Sequence, residues 1–167
     1  IISLLYIINQ LNITFNRTNN LDANIYSDIY QDIVSNKKQK FSVSHAKNAI
    51  YKNGLREFFE YRDLGISDAT HGDYHAHIIK VKSDHKGDQD MHTSGFHKHL
   101  LNFQMVYILN GWVKFIYEGE GEFTFKKGDC IMQPAGIKHN ELSCSDDLEL
   151  LEIHSPAKNE TVILEND

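Results

Sequence analysis

From Phe58 onward the chain runs as short apolar segments, each closed by glycine or an Asx residue, and this punctuation limits the fold more than any other feature. The segments are Phe58 to Arg62, Ala76 to Val81, Phe103 to Leu109, Trp112 to Tyr117, Glu122 to Phe125, Cys130 to Gln133, Leu148 to His154 and Thr161 to Leu164. None is long enough for an amphipathic helix, and evenly spaced short strands predict an all-β sandwich or barrel. Asn110-Gly111, between Leu109 and Trp112, predicts a two-residue hairpin, because both residues tolerate positive φ.

Residues 1–40 follow another pattern. They are rich in Ile and Asn and end in the polar run Ser35 to Lys40, which reads as a linker. Leu21, Ile25, Ile29 and Ile33 recur every four residues, as on one face of a short helix. The expected organisation is an N-terminal extension or arm over 1–40 and a barrel domain over 41–167, since 167 residues suffice for one core. The apolar start, Ile1 to Ile8, is interrupted by Asn9, Gln10 and Asn12 well short of the roughly 18 residues of a membrane span. The chain opens without Met and without a basic leader, which reads as a truncated or processed start.

Charge narrows the partners. With 17 Lys plus Arg against 23 Asp plus Glu, the formal net charge is -6, which disfavours phosphate backbones, so neither nucleic acid nor membrane is an expected partner. Two cysteines, Cys130 and Cys144, make no disulfide framework, and a cytoplasmic location follows as the expectation. Cys130, inside an apolar run, is expected to be a buried thiol.

The chemistry concentrates in two segments. In a strand, alternate side chains share a face, so His97 and His99 point the same way and can grip one ion. Gln104 is in phase with the apolar Val106 and Ile108, which turns an amide inward where it needs a polar partner, and a metal ion would supply one. His139 follows Gly128, Pro134 and Gly136, at the start of a further strand that a closing barrel could return to the first pair. The expected cofactor is one divalent metal ion, with zinc, nickel, iron and manganese as candidates for an imidazole-rich site.

These segments resemble the cupin superfamily, of the RmlC-like kind. Its first motif places two histidines one residue apart, then an acidic ligand and a glycine, and His97, His99, Gln104 and Gly111 stand at that spacing. The second motif is matched by Gly128, Pro134, Gly136 and His139, with 16 residues between the two motifs. Phe58 to Gly65 also resembles a segment ahead of the barrel in uncharacterised bacterial single-domain cupins. The resemblance implies a double-stranded β-helix, or jelly roll, with a His/His/Gln/His metal site. Three positions depart from it: Met91 and Ser143 replace a glycine and an asparagine, and Gln104 replaces the acidic ligand.

Because an amide leaves the full charge on the ion, Gln104 favours Lewis-acid chemistry over oxygen activation. The resemblance agrees: cupins with Gln here include sugar phosphate isomerases and enzymes that open unsaturated uronate rings. The expected function is a metal-dependent isomerase or lyase acting on a small polar organic molecule. A non-haem dioxygenase and a non-catalytic ligand-binding cupin are the alternatives. Small cupins commonly pair through their sheets, so a homodimer is expected. Glu60, Arg62, Tyr107 and Glu141 lie near strand ends or the motifs, but no catalytic residue is assigned among them. His75-Ala76-His77 repeats the alternating pair but is followed by Lys82 where a ligand would stand, so it is read as a decoy with His77 at the barrel mouth. His154 is expected to be a solvated or loop histidine.

Overall fold

A computed structural model describes residues 38–86 and 95–164. The helix expected over Leu21 to Ile33, and almost all of the 1–40 extension, lie outside the described residues. Within the unit spanning residues 39–167, the strands in chain order are β1 (Lys52–Asn53), β2 (Phe59–Asp63), β3 (His75–Val81), β4 (His97–Leu100), β5 (Phe103–Asn110) and β6 (Trp112–Tyr117). They are followed by β7 (Gly121–Lys126), β8 (Cys130–Gln133), β9 (His139–Cys144), β10 (Glu149–Ser155) and β11 (Glu160–Ile163). One short helix, α1 (Ile66–Ala69), follows β2.

The strands form two antiparallel sheets, one ordered β1-β2-β3-β10-β5-β8 and the other β11-β4-β9-β6-β7. This is the all-β arrangement that the segment pattern predicts and the jelly roll that the resemblance implies. Period-two alternation decides what lies between the sheets. From β5 come Val106 and Ile108; from β6 come Val113, Phe115 and Tyr117; all are buried in a single cluster with Phe59, Ile79, Ile131 and Leu150. The same alternation turns Ile131 and Gln133 of β8 inward and leaves Cys130 and Met132 outside. Cys130 is therefore exposed, against the buried thiol expected for it, while Cys144 is buried.

The Asn110-Gly111 turn exists, but it is not a hairpin. β5 pairs with β10 and β8, whereas β6 pairs with β7 and β9, so the turn carries the chain from one sheet to the other. Both edges of β5 are occupied, and its core face must continue into a strand on the opposite wall. Of the two residues only Gly111 takes a positive φ, and the pairing is not local. Gly111 has φ +67°, and a β-carbon there would meet Ser145, Asp147 and the Leu148 backbone nitrogen. The turn is clamped to that loop by Asn110 Nδ2 donating to Asp147 (3.0 Å to Oδ2) and by the Trp112 N–H donating to Ser145 Oγ (2.9 Å). The hairpin in this region joins β6 to β7, with Tyr117 paired to Gly121.

Gly136 has a similar φ of +75° but open space around it. Gly111→Ala should therefore lose about 2–4 kcal/mol of stability, combining backbone strain with a displaced loop, and Gly136→Ala only about 1–2 kcal/mol from the strain. Urea denaturation of the two variants beside the parent checks the order.

Candidate metal centre

The three predicted histidines meet. β4 pairs with β9 so that His97 lies directly opposite His139, and His99 follows two residues later on the same face. Ring centroids are 4.3 Å apart for His97 and His139, 5.1 Å for His97 and His99, and 5.2 Å for His99 and His139. One nitrogen from each ring lies within 4.8 Å of the other two.

Each ring spends its Nδ1 elsewhere. His97 Nδ1 lies 3.2 Å from the Gly95 carbonyl oxygen and His139 Nδ1 3.1 Å from that of Ile137. A carbonyl only accepts, so His139 donates from Nδ1 and presents a lone pair at Nε2; His97 can do the same, although Arg56 Nη2 also lies 3.3 Å from its Nδ1 and 3.4 Å from its Nε2. His99 Nδ1 lies 2.9 Å from Thr161 Oγ1, its cross-strand neighbour on β11, and the hydroxyl can turn to accept in the same way. Burial, then the neighbouring His139 and His97, lowers the His99 pKa to about 4; burial and His97 lower that of His139. Both rings are neutral at neutral pH and can coordinate without first releasing a proton.

Gln104 faces this group from β5, on the opposite sheet, and lines the same cavity of about 190 Å³. It is buried, and its Nε2 donates to Glu152 Oε1 at 2.8 Å. The partner expected from sequence was a metal; the partner found for the amide nitrogen is a carboxylate. Because that carboxylate accepts, the amide oxygen is the atom left over, and an amide oxygen is what a cation would use. The donor set fits a divalent ion: three imidazoles whose Nδ1 atoms have partners, and one amide whose orientation is held from behind.

Glu152 is absent from the sequence-derived set. Burial alone would raise its pKa, but the His77 hydrogen bond (3.1 Å) and charge, together with His154 and Gln104, bring it down to about 2. A signal for it was present. Leu148 and Leu150 face the core, and Glu152 and His154 continue that alternation, the same argument that picks out Gln104. His154 is accordingly buried on β10, not solvated, with Nδ1–H donating to the Pro156 carbonyl at 2.9 Å. His77 does line the cavity, and its Nδ1 lies 3.1 Å from His75 Nε2.

Of the four weighed polar residues, only Glu141 reaches the cavity. Glu60 pairs with Lys80 at 3.0 Å, Arg62 donates to Ser44, and Tyr107 is on an outer face. Glu141 Oε2 is 3.4 Å from Arg56 Nη2 and 3.9 Å from His97 Nε2. Arg56 was not foreseen: it sits in the β1–β2 connection, outside both motifs.

No protein-family model and no curated protein matches the chain. Solved structures do. KdgF from Halomonas sp. aligns at 18% identity over 71% of this chain and 96% of its own, with a TM-score of 0.56. A sugar phosphate isomerase of the cupin superfamily from Silicibacter pomeroyi aligns at 15% over 74% and 82%, with a TM-score of 0.57. An RmlC-like cupin from Shewanella frigidimarina aligns at 15% over 72% and 96%, with a TM-score of 0.51. At these identities the likeness is one of fold. Among the described residues no helix is long and apolar enough to cross a membrane.

Thr161→Val keeps the shape of β11 but removes the acceptor behind His99. Zinc or nickel affinity, read by chelator competition, should fall by about 10- to 100-fold while the melting temperature of the metal-free protein changes little.

Proposed function

We propose that this chain, which has the fold of the RmlC-like cupins, is a metal-dependent enzyme for a small polar organic molecule. The reaction is of the isomerase or lyase type, at one divalent ion held by His97, His99, Gln104 and His139. The observation that carries the reading is the convergence of three imidazoles whose Nδ1 atoms all have partners, so that their remaining nitrogens serve one centre.

A bound divalent ion supplies Lewis acidity, drawing electrons from a substrate oxygen. The chain's own residues do the rest. Gln104, held by Glu152, contributes no charge to the ion, and His77 in turn holds Glu152. Elimination, and isomerisation through an enediol, require a proton to leave carbon, which calls for a base facing the substrate. Of the two carboxylates lining the cavity, Glu152 is already engaged through both oxygens by Gln104 and His77, so Glu141 is the group placed to receive it. At about 190 Å³ the cavity is smaller than the roughly 300–1,000 Å³ typical of drug-sized ligands, which suits a compact substrate. The Silicibacter pomeroyi neighbour is itself a sugar phosphate isomerase, which favours a non-redox reaction over a dioxygenase.

Elemental analysis should find one divalent ion per chain in the wild type and less than about a tenth of that in His99→Ala and His139→Ala. Gln104→Ala should keep a weakened ion. Wild-type protein that takes up no zinc, nickel, iron or manganese would end the metal reading, and oxygen consumption with candidate substrates would redirect it to a dioxygenase.

The reading extends to organisation: residues 1–40 form an N-terminal extension and 41–167 a barrel domain, and the protein is a cytoplasmic homodimer without nucleic-acid or membrane partners. The exposed apolar side chains Tyr107 and Met132, on adjoining strands β5 and β8, supply a surface that a second copy can bury. Sedimentation at micromolar concentration should give twice the chain mass, and a monomer alone would count against the dimer.

A further inference from the structure

Residues 39–50 form an arm, within the same unit as the barrel, whose two faces are the wrong way round for a free monomer. The arm is pinned at two places. The Lys40 N–H donates to the Ala69 carbonyl at 2.8 Å, and Arg62 Nη2 donates to both the carbonyl and the hydroxyl of Ser44 at 3.0 Å. Alternate side chains of an extended segment point opposite ways. Ser42 and Ser44 face the barrel, Ser42 Oγ lying against Gly65, while Phe41 and Val43 face away and are 94% and 55% exposed. A segment that turns serines inward and a phenylalanine outward needs a second surface to cover its apolar side. Among the described residues, the N–H groups of Phe41, Ser42, Val43 and Ser44 have no backbone acceptor.

A complementary surface lies at the other end of the sheet. β8 ends one sheet and β7 ends the other, each paired along one edge only. Between these open edges is an apolar groove of about 280 Å³, lined by Tyr117, Phe123, Phe125, Ile131 and Met132 and by the exposed Glu120. The arm does not reach the groove of its own barrel. It is anchored at β2, and β3, β10 and β5 stand between β2 and β8, roughly 19 Å along the sheet at about 4.8 Å per strand.

Charge matches as well. The arm holds Lys40 and Lys47 and no Asp or Glu, whereas the turn beside the groove runs Glu118-Gly119-Glu120-Gly121-Glu122. Glu118 and Glu122 are engaged by Lys138 and Lys114, and among the described residues Lys40, Lys47 and Glu120 have no ion-pair partner. We infer that the groove between β7 and β8 receives the arm of a second copy, with Phe41 and Val43 against the apolar lining and Lys40 beside Glu120, and that the exchange is reciprocal. Reciprocal exchange closes on a two-fold axis and leaves neither arm nor groove unfilled. Free N–H groups on an extended arm beside an open strand edge add main-chain pairing. Met132 belongs both to the groove and to the surface assigned above to the second copy, so the inference specifies that homodimer and rests on that reading. It also brings the partner up to the metal cavity's wall: Tyr117 lines the groove, and its hydroxyl accepts from Gln133 Nε2 at 3.0 Å, an amide that lines the cavity.

Sedimentation of the full chain over a micromolar dilution series reads the dimer dissociation constant. Phe41→Asp should raise it about tenfold or more while the circular dichroism of the β fold stays unchanged. Lys40→Glu and Glu120→Lys should each raise it about threefold to tenfold, and the two together should return it to within about threefold of wild type. In a Cys130→Ser background, Phe41→Cys combined with Phe123→Cys should oxidise to a species of twice the chain mass on a denaturing gel. A cross-linked species of single-chain mass would put the arm in its own groove and overturn the inference. So would a dimer that stays unlinked, that ignores Phe41→Asp, or that the paired charge exchange fails to restore, since another surface or segment then covers the groove. Those failures, in protein that sediments as a dimer, leave the homodimer standing; wild type that sediments as a monomer alone overturns both.

Discussion

Three imidazoles can share the interior of a sheet only if each has somewhere to put its ring N–H, and the site depends on how this chain provides that. His97 and His139 use the carbonyl two residues before them in their own chain, and His99 uses a threonine across the strand. These are short-range devices, fixed as soon as β4, β9 and β11 pair. With the Nδ1 atoms accounted for, the Nε2 atom of His97 has the Arg56 guanidinium at 3.4 Å and the Glu141 carboxylate at 3.9 Å as its neighbours. The geometry that solves a burial problem also presents a ligand set.

The opposite sheet answers with polar groups of its own. Gln104 on β5 and Glu152 on β10 face the histidines, and each is held by the next: Gln104 by Glu152, Glu152 by His77, and His77 by His75. A polar network in a low-dielectric space is stable only when its members are satisfied, and here the chain runs without a break from the cavity to a half-buried ring. The apolar residues that close the other end of the same space, Ile108, Val113 and Leu148 among them, are nearly inaccessible and keep the two sheets in register. The barrel is thus divided along its axis, with packing at one end and chemistry at the other.

Much of this could be read from residues alone. The eight apolar segments correspond to β2, β3, β5, β6, β7, β8, β10 and β11, with ends displaced by a residue or so, because strand alternation and glycine punctuation are local properties. His97, His99 and His139 were legible for the same reason: the first two share a face by periodicity, and the third follows a glycine and proline pattern that shapes its own turn. Cys130 and His154 were misjudged where the alternation was not carried through. Counting from Ile131 places Cys130 outside, and counting from Leu148 places His154 inside.

Sequence by itself determined the strand set, the inward phase of Gln104 and the candidate ligand residues, since each depends on neighbours within a few positions. Only the tertiary structure decided that Asn110-Gly111 joins two sheets instead of two paired strands. It alone decided, too, that Glu152 takes the Gln104 amide nitrogen and that Arg56, 41 residues before His97, reaches over the cavity. Those outcomes depend on which strand edges meet and on contacts between distant segments, and no periodicity along the chain encodes a distance across the barrel.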